Sequence, residues 1–206
     1  MSDKWMDWAI ELQALAQDGI AYSQNPYDID RFKRIREISA EIVAAKTDND
    51  LEHVRDVFLN EKGYQTPKLC TRAAVFRDGK ILMTREKPEG TWSLPGGWVD
   101  SNLTVRQNAA KEALEEAGAV VEPERVIALH DRRLRNPGKY IYGITKVFVI
   151  CRLKEISFTE NLETSEADFF AEDQLPDNIS VKKNTKEQIL MCFRHYKDPT
   201  LPIEFD

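Results

Sequence analysis

Three glutamates, Glu112, Glu115 and Glu116, stand at i, i+3 and i+4 in the stretch "GGWVDSNLTVRQNAAKEALEEAG". On a helix these spacings bring like charges together, at about 0.2–0.5 kcal/mol per pair. The acids also fall near the C-terminal end of the helix that this stretch predicts, where the macrodipole disfavours negative charge. No Lys or Arg follows at i+4 to neutralise them. An ordinary solvated acidic face is one account of the cluster. A bound Mg2+ or Mn2+ is the other, because hard divalent cations take carboxylate oxygens and reverse both penalties. The double glycine Gly96-Gly97 upstream lets backbone approach a ligand closely, and its carbonyls are further candidate donors.

The elements that must position these acids are legible around them. Thr104 and Gln107 form a T-x-x-Q capping box and Gly118 sits where a C-cap glycine belongs, so a helix is expected over Val105 to Ala117. Ala110, Ala113, Leu114 and Ala117 make a narrow face for packing on a sheet, with the three acids roughly opposite. Upstream, "LCTRAAVFR" and "KILMTRE" read as strands flanking the Asp78-Gly79 hairpin turn, and "WSLPGGW" reads as a loop. Downstream, "VVEPERVIALHDRRLR" and "YIYGITKVFVICRL" read as strands around the turn "NPGK". "ADFFAEDQLP" is a short strand and "TKEQILMCFRHYK" a final helix.

Before residues 62–68 the pattern is helical instead. Trp5, Trp8, Ala9, Leu12, Leu15 and Ala16 keep the spacing of one apolar face, as do Phe32, Ile35, Ile38 and Ile42, and then Leu51, Val54, Val57 and Phe58. The chain thus divides into a helical segment over 1–64 and an α/β segment over 65–206. Three short helices form a marginal core alone. Their stripes either pack on each other and on the larger segment, or offer Trp5 and Trp8 as interface anchors.

The 206 residues carry 29 Lys and Arg against 35 Asp and Glu, a net charge of −6, which argues against broad binding to nucleic acid. Cys70, Cys151 and Cys192 are odd in number and far apart, so neither a disulfide framework nor a zinc site is expected. No apolar run approaches membrane-spanning length and the N-terminus has no apolar signal core; a cytoplasmic location is expected.

The stretch from Gly97 resembles the Nudix box, G-x5-E-x7-R-E-U-x-E-E-x-G-U with U bulky and aliphatic. Gly97, Glu112, Glu115, Glu116 and Gly118 match; Leu103 stands in place of the first Glu, Lys111 in place of the Arg, and Ala113 and Ala119 at the two bulky positions. The N-terminal "KWMDWAIELQALAQDGIAYSQNPYDIDRFKRI", with "TWSLPGGW", "HDRR" and "LETSEADFFAEDQLP", is similar to the CDP-choline pyrophosphatases of bacteria within that family.

The resemblance implies a Nudix α/β/α sandwich with a mixed sheet, preceded by a small all-helical domain through which the protein dimerises. It implies a hydrolase dependent on Mg2+ or Mn2+. Glu112 or Glu116 would bridge metals, Glu115 would complete the cluster, and the Gly96 or Gly97 carbonyl would be a further ligand. Lys111 is the accessory cation. A further acid from a later loop is expected as base, with Glu163 first and Glu166 in reserve. Arg85 is a candidate for substrate phosphate, and Arg132, Arg133 and Arg135, crowded at one strand end with Arg133 and Arg135 on the same face by alternation, either bind phosphate or make a basic edge strand that deters sheet-to-sheet aggregation. Trp92, Tyr140 and Tyr142 either stack on a base or pack on the sheet, and His130 either donates to substrate or is structural.

The implied substrate is a nucleoside diphosphate-linked small molecule, CDP-choline first, giving CMP and phosphocholine. ADP-ribose, other nucleotides or RNA ends are the alternatives, although the net charge does not indicate RNA. A domain that binds nucleotide with little or no turnover is the remaining one.

Overall fold

The computed structural model describes residues 4–47, 49–59, 63–138 and 140–206. These fall into two compact units. One takes the described residues of Met1–Pro67 with those of Lys139–Tyr142; the other takes Lys68–Gly138 and Gly143–Asp206.

The first unit holds helices α1 (Lys4–Tyr22), α2 (Pro26–Lys46) and α3 (Leu51–Leu59). Asn25 caps α2 by accepting from the Tyr27 N–H at 2.9 Å, and Pro26 fills the first position, whose N–H would find no helical partner. Met6, Ala9, Ala40, Val43, Val54 and Phe58 form the core. The expected stripes on α1 and α2 are corrected here. α1 turns Met6, Ala9, Gln13 and Ala16 inward, while Trp8 (60% exposed), Leu12 and Leu15 (58%) stay outside. On α2 the buried residues are Ser39, Ala40 and Val43, and Ile38 is exposed. Close approach selects the small residues. The Ser39 hydroxyl donates to the Ala9 carbonyl, and the Phe32 ring occupies the space that a side chain on Gly19 would need, 2.4 Å from where a Cβ would sit.

The second unit is built on a mixed seven-stranded sheet with the path β3-β2-β1-β5-β4-β7, and β6 pairs with β2. The strands are β1 (Lys68–Arg77), β2 (Lys80–Glu86), β3 (Trp92–Ser93), β4 (Ala119–Asp131), β5 (Ile144–Ile156), β6 (Thr164–Phe170) and β7 (Glu204–Phe205). β1–β5 and β4–β7 run parallel and the other pairs antiparallel. Asp78 (φ 52°) and Gly79 (φ 75°) make the tight β1–β2 hairpin with both residues left-handed, as Asp-Gly favours.

Alternation along the strands feeds two cores. Ala73, Val75 and Leu82 face α4 (Val105–Ala117) on one side. Ala74, Phe76, Ile81 and Met83 face Ile189, Met191, Cys192 and Phe193 of α6 (Lys186–Lys197) on the other. The sheet is thus the middle layer of an α/β/α sandwich.

Two expected strand bounds are corrected. β6 begins at Thr164 and ends at Phe170, earlier than the expected "ADFFAEDQLP". β4 ends at Asp131, whose carboxylate accepts from the Arg133 N–H at 2.8 Å and starts a helical turn, α5 (Arg132–Arg135). A short Asp side chain capping the next turn competes with the ladder and ends the strand.

Candidate active site

Both ends of α4 are pinned by local chemistry. The Thr104 hydroxyl accepts from the Gln107 N–H, the Gln107 side chain returns to the Thr104 N–H at 2.9 Å, and Gly118 is left-handed at φ 60°. Between the ends, Ala109, Ala113 and Ala117 are fully buried against the sheet. This corrects the expected face: Ala110 is half-buried and Leu114 is 52% exposed. The smallest side chains at i, i+4 and i+8 let the helix come closest, so the packed stripe is rotated from the expected one.

That rotation carries two acids to the sheet. Glu112 and Glu116 are 8% and 5% exposed, whereas Glu115 remains at the surface. The Glu116 Oε2 accepts from the Gly96 N–H at 3.1 Å and from the Thr84 hydroxyl at 3.4 Å. Each glycine of the pair has its own reason. A Cβ on Gly96 (φ 153°) would lie 2.0 Å from the Thr71 carbonyl oxygen, and one on Gly97 would lie 2.7 Å from Glu112 Oε2. Lys111 Nζ reaches Glu115 at 2.9 Å, Glu112 at 3.5 Å and Asp100 at 3.5 Å.

Burial dominates the electrostatics. Desolvation pushes the Glu116 carboxyl up to about 7, with the Arg72 and Lys183 charges and the Gly96 N–H pulling the other way. Desolvation also raises Glu112, opposed chiefly by Lys111. The hydrogen bond to Glu115 holds Lys111 above the ordinary lysine range.

Among the described residues, no three acidic, histidine or cysteine side chains form a finished metal cage. Glu115 lies with Lys111 at the surface, apart from the two buried carboxylates. The glycine carbonyls expected as ligands are engaged: the Arg72 guanidinium donates to Gly96 O, and the Thr71 N–H donates to Gly97 O at 2.9 Å. The donor chemistry still fits a hard divalent cation. Two desolvated carboxylates face a backbone that only glycine lets approach, and a cation would relieve their charge.

Arg72 and Thr84 are site residues that the sequence reading missed. A charged residue inside the apolar run "CTRAAVF" was the available signal for Arg72. Thr84 carried no comparable mark.

The other expected residues scatter. Arg85 bonds Glu166 at 2.7 Å and the Gly90 carbonyl at 3.1 Å, so Glu166 is charge-paired. Glu163 is exposed on a loop whose neighbours hold the end of α4: Asn161 donates to Glu115 O at 2.9 Å and Thr164 to Glu116 O at 2.8 Å. Trp92 takes the second of its two expected roles. It is buried in the core with its ring edge-to-face on Phe170, centroids 4.8 Å apart, and so packs instead of stacking on a base.

The strand expected at Arg132–Arg135 is a helical turn instead. Arg132 is buried and donates to the carbonyls of Gly138 and Pro137; Arg133 pairs with Asp131 and Arg135 with Asp206. On a helical turn, residues two apart do not share a face. Tyr140 and Tyr142 group with the helical unit, their rings 5.0 Å apart. His130 is 2% exposed and takes a Gln188 amide at 3.3 Å beside α6.

An α/β/α sandwich that sets buried glutamates of one helix against a diglycine loop defines a Nudix hydrolase. Residues 67–193 match the NUDIX domain family, and residues 3–58 match a family described as a UDP-X-like, N-terminal oligomerisation domain. The chain belongs to the Nudix family and is an enzyme of that class, a pyrophosphohydrolase. It is 38% identical over 203 residues to the Bacillus subtilis protein named "Putative ADP-ribose pyrophosphatase YjhB", covering 98% of this chain and 97% of that one. An ADP-ribose pyrophosphatase structure from Streptococcus suis is 44% identical with TM-score 0.63, covering 68% of this chain and 100% of the other. A UDP-X diphosphatase structure is 30% identical with TM-score 0.65, covering 98% of each chain. No helix among the described residues is long and apolar enough to cross a membrane.

Proposed function

We propose that the protein is a divalent-metal-dependent enzyme that splits the diphosphate of nucleoside diphosphate-linked compounds. The observation that carries this reading is the burial of Glu112 and Glu116 against Gly96 and Gly97. Glu112 and Glu116, with Glu115 once it leaves Lys111, would hold Mg2+ or Mn2+, and the ion would neutralise the diphosphate and make a bound water more acidic.

The chain's own residues do the rest. The Gly96 N–H and the Thr84 hydroxyl hold Glu116 in one orientation. Lys111 restrains Glu115 and offsets the charge of Glu112. Glu163 is the proposed base, on the loop tied to the end of α4, and takes a proton from the attacking water. Arg85, at the end of β2, would exchange its Glu166 partner for substrate phosphate. Water adds to one phosphorus while the bridging oxygen departs with the other phosphate.

CDP-choline, cut to CMP and phosphocholine, is the first substrate reading and rests on the whole-chain resemblance. ADP-ribose is the second and rests on the names of two relatives. Incubation with Mg2+ or Mn2+ and CDP-choline, ADP-ribose or a UDP-sugar, followed by mass spectrometry, separates them. Cleavage of ADP-ribose with none of CDP-choline gives the second reading; no cleavage of any diphosphate under either ion ends both.

The helical unit serves a homodimer in this reading. Trp8, Leu12 and Leu15 leave an exposed apolar stripe on α1 in a segment that matches an oligomerisation domain, and Trp5 packs beside the core. Light scattering on the full chain and on one starting near Thr66 tests it. A dimer that survives the truncation removes this interface.

A further inference from the structure

Arg72 presents an unusual combination. It is 5% exposed in the middle of an apolar strand, and among the described residues no carboxylate forms an ion pair with it. A buried guanidinium without an acid is costly unless its N–H groups find acceptors. Here Nη1 donates to two backbone carbonyls of one loop, Leu94 at 3.3 Å and Gly96 more closely. Among the described residues its Nε has no hydrogen-bond partner.

Gly96 is therefore held at both ends. Its carbonyl takes the Arg72 cation, and its N–H points to Glu116 Oε2 at 3.1 Å. No side chain fits there, since at φ 153° a Cβ on Gly96 would lie 2.0 Å from the Thr71 carbonyl oxygen. The loop before it is held as well: Pro95 O takes the Ala73 N–H at 2.8 Å, and the Leu94 N–H donates to Asn184 Oδ1 at 2.9 Å. Among the described residues the hydrogen bond that joins this loop to the acids of α4 is the Gly96 N–H, which lies in the Pro95–Gly96 peptide plane, between the two carbonyls that Arg72 holds. The Arg72 charge also acts on Glu116 and Glu112, opposing their desolvation. Lys146, on the neighbouring strand, uses the same device elsewhere: it is 2% exposed and donates to the carbonyls of Lys182 and Lys183.

We infer that Arg72 is a positioning residue for the acid cluster: by holding the Leu94 and Gly96 carbonyls on either side of the Pro95–Gly96 peptide, it fixes the loop from which the Gly96 N–H reaches Glu116 and keeps both buried glutamates oriented for a metal ion. This inference rests on the proposed metal-dependent hydrolysis. It concerns a residue that acts through Gly96 and Glu116 and touches no substrate. Arg suits the task because its guanidinium stays charged when buried and its rigid plane fixes where the N–H groups point, which an ammonium on a flexible stem does less well.

The test uses the full chain labelled with 15N-glycine, whose nine glycines give a sparse amide spectrum. In the metal-free protein the Gly96 amide resonance should lie downfield and exchange slowly with solvent. Arg72→Met should move it upfield and speed its exchange by tenfold or more, with the Gly79 and Gly118 amides unmoved. Mn2+ affinity, read by electron paramagnetic resonance without substrate, should weaken by about tenfold, the low end for losing an outer partner of a metal ligand. Turnover should fall through kcat, with KM within about twofold, because no substrate contact is removed. Arg72→Lys should recover Mn2+ affinity in part and Gly96 protection hardly at all. Should the methionine variant not fold, the lysine variant carries the test through the same amide. A Gly96 amide as protected in the folded variants as in the wild type, with equal Mn2+ affinity, overturns the inference. A wild-type protein that cleaves no diphosphate overturns the functional reading instead, and the Gly96 amide still decides whether the clamp exists.

Discussion

Helices α4 and α6 start from the same signal and end in opposite roles. Each opens with a Thr whose hydroxyl and backbone trade hydrogen bonds with a Gln three residues on, Thr104 with Gln107 and Thr185 with Gln188. Each packs on one face of the same sheet. α6 brings Ile189, Met191, Cys192 and Phe193 and fills its side with bulk. The fully buried apolar residues of α4 are alanines, Ala109, Ala113 and Ala117, with Val105 partly buried beside them, and the helix so approaches closely enough to carry Glu112 and Glu116 into the protein. The lesson is that methyl-sized packing on one face of a sheet can bury charge, and the opposite face supplies the apolar burial that stabilises the unit.

The comparison breaks most sharply at Glu116. Glu116→Gln should lower turnover by at least about a hundredfold, since loss of a ligand exceeds the 10–100-fold cost of losing its outer partner. The same change should stabilise the metal-free protein at pH 8. The folded carboxyl is raised from 4.5 to about 7, so the folded chain holds this proton more tightly than the unfolded one. Its contribution is present in full below the unfolded value and is lost as pH rises through the folded one, on the order of 3 kcal/mol at most. Thermal melts of metal-free wild type at pH 5 and pH 8 should therefore differ by several degrees more than those of the Gln variant, and Mg2+ should erase the gap. Equal pH dependence in the two proteins would show that Glu116 is not buried as charge.

On the other face, Phe193→Ala should cost about 3–5 kcal/mol in denaturant unfolding, the range for emptying a buried aromatic site. Turnover measured well below the transition should stay near the wild-type value. A folded variant without activity would mean that the two faces are not separable.

Lys111→Ala should reduce turnover by about tenfold and weaken the response to Mg2+, on the scale of outer-partner losses at metal sites, with Lys111→Arg retaining activity. The motive is the Lys111 bridge to Glu115 and Glu112. Unchanged Mg2+ dependence in the alanine variant removes the orienting role.

The smallest effect sharpens the comparison best. Thr104→Ala and Thr185→Ala should each cost about 1 kcal/mol, typical of a lost N-cap. Only the first should also lower turnover, because only α4 carries the buried glutamates of the site. Equal activity of the two variants would place the start of α4 outside the site's support.

Much of this protein was written in local sequence. The bounds of α4, both of its caps, the Asp78-Gly79 hairpin and the alternation of β1 and β2 depend on neighbours a few residues apart, and they are legible for that reason. The spacing of Glu112, Glu115 and Glu116 behind two glycines marked the acid cluster and the Nudix resemblance in the same way. Other features needed the fold. Which stripe of α4 meets the sheet was settled by how closely alanines at i, i+4 and i+8 approach, so Glu112 and Glu116 went in and Glu115 stayed out. Trp92 became core because β3 lies across Phe170, and Arg132–Arg135 became a helical turn because Asp131 caps it. Arg72 gained its place only when β1 was laid beside the loop at Gly96, a pairing of residues 24 apart in the chain. Spacing reveals what one segment can do; which atoms meet across segments is decided by packing, where shape and desolvation act on the whole unit at once.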